Sequence, residues 1–315
     1  MKAYLYEERR SGKDLICAKF DNNSSERVTI FYEKGGLYQQ YLQPGDVVYE
    51  KQEGNIRELF INDYSFEMSQ NEVGDVINHV WCPGLCGNIF KTLNINDGEK
   101  ARSKRELKIL IERLHDILMY IEPDKGCLKV YGHKIRELLI LACTEGESLW
   151  TDYIRLAGNT NQRLTTNDYV KLKDKLFLSE YGVIFTSPPV KHSFQPFKNW
   201  DASNPTQSLP WYDGYNKTKH NKTDYFSEAS LENCINAIVA NIIMFCVQYS
   251  PYALIEEKDI CSNLVNEYFS AEIVSPDISS IYIQAIKSYP LVSGAFSGPL
   301  ASAPERKWNI KPFIL

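Results

Sequence analysis

From residue 107 onward the apolar side chains recur at helical spacing, and this periodicity constrains the fold more than any other feature of the chain. Leu107, Leu110, Ile111, Leu114, Ile117, Leu118 and Ile121 line one stripe of a helix, and such a stripe has to be buried against another element. Ser103 and Glu106 stand at capping-box spacing ahead of it, and Pro123 and Gly126 close it. A second helix is expected over residues 133–156, with Ile135, Leu138, Leu139, Ala142, Leu149, Trp150, Tyr153 and Ile154 facing inward. Thr165 and Asp168 form another capping-box pair, opening a shorter helix to about residue 176. Ser227 is placed to cap a strongly apolar helix running to Tyr249, where Pro251 stops it, and one more helix is expected over residues 252–269.

Ahead of residue 100 the pattern is different. Residues 14–20, 27–32, 37–42, 46–50 and 57–61 are short runs rich in Val, Ile, Phe and Tyr, punctuated by Lys34-Gly35-Gly36 and Pro44-Gly45-Asp46. Breaks of that kind between such runs predict hairpins. Residues 185–210 carry five prolines and read as a long connection, with Phe194, Phe197 and Trp200 packing part of it. Residues 281–286 have the composition of a strand. Residues 308–315 end on alternating apolar positions, and a terminal strand needs a partner for its backbone, so the tail is expected to return to the N-terminal β-region. The fold class this predicts is α+β, with strands and helices segregated. Residues 1–98 are a small β-rich domain, residues 99–270 a helical domain, and residues 271–315 a C-terminal extension packing on the β-rich part.

The 315-residue chain has a net charge of −5, so a nucleic-acid role would need a local basic patch. The opening MKAYLYEERR has no apolar h-region, no apolar run is read as reaching membrane-spanning length, and the eight cysteines are scattered. A cytoplasmic protein with reduced thiols and no membrane partner is therefore expected. The sequence contains no phosphate-binding P-loop, no GxGxxG after a strand, no HExxH and no GxSxG, and no cofactor is expected.

Residues 211–222, WYDGYNKTKHNK, concentrate the chemistry. On a helix Tyr212, Asn216 and His220 share one face, and Trp211, Tyr215, Lys219 and Lys222 line its neighbour. Lys217, Lys219 and Lys222 form a small positive cluster around an imidazole, an amide and phenols. This set suits phosphate binding with a histidine for proton transfer. The same spacing also describes packing aromatics with a solvated lysine face, and spacing alone leaves both readings open. Glu145 and Glu147, two apart on the second helix, point to different faces, and the lone His115 and His133 read as structural.

Tyr215 to His220, preceded by Trp211-Tyr212 and followed by a long apolar helix, resembles the motif of the HEPN superfamily. The segment RELLILACTEGESLW, residues 136–150, resembles that superfamily's first long helix. The resemblance covers residues 133–249. It implies a small helical bundle that dimerises, and a role in cellular defence or toxin–antitoxin systems, either as a metal-independent endoribonuclease or as a catalytically silent module that binds a protein partner or oligomerises. In active members an arginine precedes a polar residue, three variable residues and a histidine. Here Asn216 and His220 match, and Tyr215 stands where the arginine is expected. The resemblance therefore implies His220 as general acid/base, Asn216 orienting it or contacting the scissile phosphate, and Tyr215, Lys217, Lys219, Lys222 and Trp211 contacting RNA. Arginine supplies a permanent charge and a planar fork that tyrosine lacks, so the substitution favours a binding module, with the β-rich domain recognising a protein partner. A second constellation, His79, Cys82 and Cys86, has thiolate and imidazole groups at loose metal-ligand spacing. Half of the usual ligand set is missing, and buried free thiols are the expectation.

Overall fold

The computed structural model describes residues 3–10, 13–20, 31–33, 40–41, 67–72, 74–83, 85, 92–186, 192–255, 259–273, 277–282 and 308–315. The expected runs at 46–50 and 57–61, the position of Cys86 and most of the expected strand at 281–286 lie outside these residues. The chain contains both helices and small sheets, a mixed α and β composition. It divides into two units: residues 1–78, 82–92 and 277–311 form one, and residues 79–81, 93–276 and 312–315 the other.

In the first unit β1 (Ala3–Arg10) and β2 (Lys13–Phe20) pair antiparallel, with register Ala3↔Phe20 through Arg10↔Lys13. The strands β3 (Phe31–Glu33), β4 (Gln40–Tyr41) and β5 (Glu67–Met68) complete a sheet of order β4-β3-β2-β1-β5. A separate pair joins β6 (Asp75–Ile77) to the late strand Asn309–Lys311, in parallel, with Ile310 opposite Val76. The Asn309 amide and the Lys311 ammonium both reach the Asp75 carboxylate, at 2.8 and 3.4 Å. The backbone groups of the terminal strand thus find their partners about 230 residues earlier in the chain, as a strand outside its own hairpin must.

The second unit is built on long helices. Helix α1 (Asp97–Leu118) starts at Asn96, whose side chain accepts from Gly98 N at 2.7 Å, with Asp97 and Glu99 favourably placed in its first turn. Ser103 and Glu106 are therefore inside the helix and do not open it, and Ser103 Oγ instead meets the Tyr249 hydroxyl at 3.1 Å. Leu107, Leu110, Ile111, Leu114 and Ile117 form its buried stripe. Helix α2 (His133–Leu156) packs on this stripe and on a later helix, burying Ile135, Leu138, Leu139, Ala142, Trp150 and Ile154. Thr165 and Asp168 make the expected capping box of the short α3 (Thr166–Tyr169), which α4 (Leu172–Lys175) follows.

Three strands in this unit were not expected. Strand β7 (Tyr181–Phe185) is central, flanked antiparallel by β8 (His192–Phe194) and β9 (Phe269–Ile273), with Val183 opposite both Phe194 and Ala271. A buried five-residue apolar run carries no period that separates strand from helix. The expected helix at 252–269 is accordingly broken. Helices α5 (Pro210–His220), α6 (Lys222–Tyr225) and α7 (Leu231–Tyr249) are followed by two shorter ones, α8 (Tyr252–Ile255) and α9 (Ile260–Tyr268), and the chain turns into β9 at Phe269. Asp259 caps α9 by accepting from Ser262 N, and its carboxylate also pairs with Lys104 of α1.

Helix α7 begins at Ser230, whose side chain accepts from Asn233 N at 3.2 Å. Ser227, the expected cap, lies in the preceding 3-10 turn. Nineteen residues long, α7 is long and apolar enough to cross a membrane, and 78% of its most apolar stretch is buried in this unit. Its single interior amide, Asn241, donates to the carbonyls of Ala142 and Ala237 at 2.8 Å each, so the polar group is satisfied where it is buried. Trp150 centres an aromatic cluster with Trp200, Tyr212, Tyr169, Trp211 and Phe197, at centroid separations from 5.1 to 6.2 Å. Through Phe197 and Trp200 the proline-rich connection is part of the core.

Candidate functional site

Helix α5 carries the motif. Pro210 sits in its first turn, where a missing N–H costs nothing. Gly214 is held against α7: a Cβ there would lie 2.8 Å from Asn233 Nδ2 and 3.0 Å from the Glu228 carbonyl. No other side chain permits that approach. The helix emerges from the core along its length. Trp211, Tyr212 and Tyr215 are buried, Asn216 and Lys217 are half-buried, and Lys219 and His220 are exposed. The expected faces are present, but each runs from interior to solvent.

Most of the motif's polar groups are already engaged. The Trp211 indole donates to the Pro196 carbonyl at 3.2 Å. The Tyr212 hydroxyl donates to Glu147 Oε1 at 2.5 Å, and burial first, then this bond, pushes its pKa well above the usual phenol value. The Tyr215 side chain is fully buried, and its hydroxyl accepts from Lys219 Nζ at 2.7 Å, a bond that raises the lysine's pKa. The Asn216 amide donates to the Tyr212 carbonyl of its own helix at 3.1 Å. Lys217 pairs with Asp213 at 2.6 Å, which likewise raises its pKa. His220 is the last helical residue, and among the described residues nothing hydrogen-bonds its ring. Asn216 and His220 are not joined to each other.

The structure adds residues that the motif did not contain. The Arg136 guanidinium on α2 donates from Nε and Nη2 to the Thr218 carbonyl, at 3.3 and 2.8 Å, strapping the two helices two residues before His220. Lys222 Nζ lies 3.4 Å from His133 Nδ1 and over the Phe226 ring, and His133 packs on the same ring at 5.0 Å. The N-terminus of α2 has no side-chain cap and no acid in its first turn. The exposed end of α5, the start of α6 and the start of α2 thus present His220, Lys219, Lys222, His133 and Lys134 to solvent. His133 is exposed and packs on the Phe226 ring, and His115 is bonded to the Tyr268 hydroxyl at 2.5 Å. Arg136, Cys143, Glu147 and Trp150 all face α5, and their spacing of seven, four and three along α2 is the signal that reveals this stripe.

Of the second constellation, Cys82 is buried. His79 is half-buried in a left-handed backbone conformation, and burial lowers its pKa despite the opposing charge of Glu99. Among the described residues no three His, Cys, Asp or Glu side chains come together as a metal site. No protein-family model, no curated protein and no solved structure matches this chain.

Proposed function

We propose that the chain is a HEPN-like protein in which a β-rich N-terminal domain is joined to a helical domain acting as a non-catalytic binding and oligomerisation module, in a cytoplasmic defence or toxin–antitoxin-type system. One observation carries this reading: the motif is spent on the fold. Asn216 is bonded to its own helix, residue 215 is a buried tyrosine, and His220 has no orienting partner among the described residues. A general base needs its tautomer fixed and its substrate within reach. What α5 leaves exposed is positive charge, which suits the phosphate backbone of RNA. The exposed Met119, Tyr120 and Tyr131 offer apolar surface for self-association into a homodimer. Wild-type protein incubated with single-stranded RNA is expected to bind without cleaving. Lys219→Gln and Lys222→Gln are each expected to lower the salt dependence of binding by about one unit of slope. RNA cleavage by the wild type, lost in His220→Ala, overturns the assignment.

A second reading, a metal-independent endoribonuclease with His220 as general acid/base, is favoured by Arg136. Its guanidinium supplies from α2 a fixed cation beside the motif, where residue 215 supplies none. In that case cleavage leaves a cyclic phosphate formed by 2′-hydroxyl attack, and Arg136→Ala abolishes it together with His220→Ala.

A further inference from the structure

Away from α5, a cleft of about 390 Å³ opens between α1, α2 and the end of α7. That volume lies within the range of about 300–1,000 Å³ typical of small-molecule sites. Four carboxylates line it, Glu99 and Glu106 from α1 and Glu145 and Asp152 from α2, against one guanidinium, Arg102, and the imidazole of His79. None of the four forms an ion pair or accepts a side-chain hydrogen bond among the described residues. Their charges are felt: burial and then the charge of Glu145 raise the pKa of Glu106, while burial and then Glu99 raise that of Asp152. The carboxylates are distributed along the cleft, since no three of them converge on a point suited to a metal ion. Between them the wall is mixed: Ser103, Ser148 and Gln248 are polar, Leu149 and Leu156 apolar, and Tyr153 and Tyr249 reach it from almost fully buried positions.

We propose that this cleft binds an extended organic polycation of the polyamine class. The chemistry matches part by part. Ammonium groups meet the carboxylates contributed by the two helices, and methylene segments lie on Leu149 and Leu156. A compact dication finds no point among the described residues at which three of these groups converge on it. Binding relieves the like-charge repulsion among these carboxylates. The site is independent of the RNA-binding reading of α5, and neither depends on the other.

The test uses the full chain, with calorimetry and thermal unfolding in the presence of spermidine, and magnesium chloride at matched ionic strength as the comparison. Spermidine is expected to bind saturably and to raise the Tm, with magnesium giving no comparable shift. The double variant Glu106→Gln/Glu145→Gln keeps side-chain volume and removes repulsion, so it is expected to fold, as circular dichroism checks, and to bind spermidine at least about tenfold more weakly. Equal spermidine binding by the double variant, or an equal shift with magnesium, means surface screening and ends the proposal.

Discussion

The exposed end of α5 and the acidic cleft belong to the same helical unit and use their polar groups in opposite ways. On α5 the groups are paired with one another: Lys217 with Asp213, Lys219 with Tyr215, Asn216 with the Tyr212 carbonyl. In the cleft four carboxylates face a cavity with neither an ion pair nor a donor among the described residues. A contiguous string of chemically suggestive residues is thus mostly a packing and bonding device, and residues scattered over two helices leave charge available. Residue type shows what a group can do. Burial and partners decide whether it is free to do it.

The sharpest way to break this comparison is to restore the arginine that the HEPN-type motif lacks. If position 215 were an open subsite, Tyr215→Arg would be tolerated and would confer RNA cleavage. Tyr215 is fully buried on α5, which packs on α2 and α7, so the variant places a guanidinium beside the Lys219 ammonium and the Tyr212 ring, where the one nearby carboxylate, Glu147, is already bonded to Tyr212. A buried charge without a counter-ion costs about 3–5 kcal/mol. Urea unfolding is expected to show that loss, with no gain of nuclease activity. Wild-type stability in the variant means that the motif face is more open than its packing indicates.

A smaller effect is expected at Arg136. Its two bonds to the Thr218 carbonyl are charge-assisted and partly exposed, and their loss in Arg136→Met is expected to cost about 1–2 kcal/mol. If the residue is a strap alone, RNA affinity follows only the change in stability. RNA affinity that falls while stability holds moves Arg136 from the paired class to the available one.

The parts of the fold written in local pattern were legible. The apolar stripe of α1, the inward face of α2 and the Thr165–Asp168 capping box are all set by residues within a turn or two of one another. The helix starts were less so: Asn96 and Ser230 cap where Ser103 and Ser227 offered equally good spacing, because a cap is chosen by where the packed stripe has to begin. The β7–β8–β9 sheet was not legible, since Tyr181–Phe185 and Phe269–Ile273 are more than eighty residues apart and neither alternates cleanly. At the site, the motif was visible as a string, but the burial of Tyr215 was not, since tyrosine serves interior and surface alike. The partners Glu147 and Arg136 lie 65 and 82 residues away from the groups they hold. Glu145 and Glu147 do diverge as their spacing requires, one into the cleft and the other onto Tyr212.

The least costly substitution probes the unpaired side of the comparison through pH. Glu106 has its pKa raised in the folded protein, by burial first and by Glu145 next. A carboxyl whose folded pKa exceeds its unfolded value binds more protons when folded. Between the two pKa values stability therefore falls as pH rises, and above the folded value the whole penalty is present. The window opens at the ordinary carboxylate pKa and extends upward. In Glu106→Gln that penalty is gone, so the variant is expected to equal or slightly exceed the wild type in stability at neutral pH. Its stability is also expected to change less as pH is lowered towards the ordinary glutamate range. Denaturant unfolding at a series of pH values measures both. The sign separates the two regions, because removing a charge that is paired, as in Asp213→Asn on α5, destabilises at neutral pH where Glu106→Gln does not. A Glu106→Gln variant that is less stable at neutral pH shows that its carboxylate has a stabilising partner, and the cleft then belongs with α5 among the groups already spent on the fold.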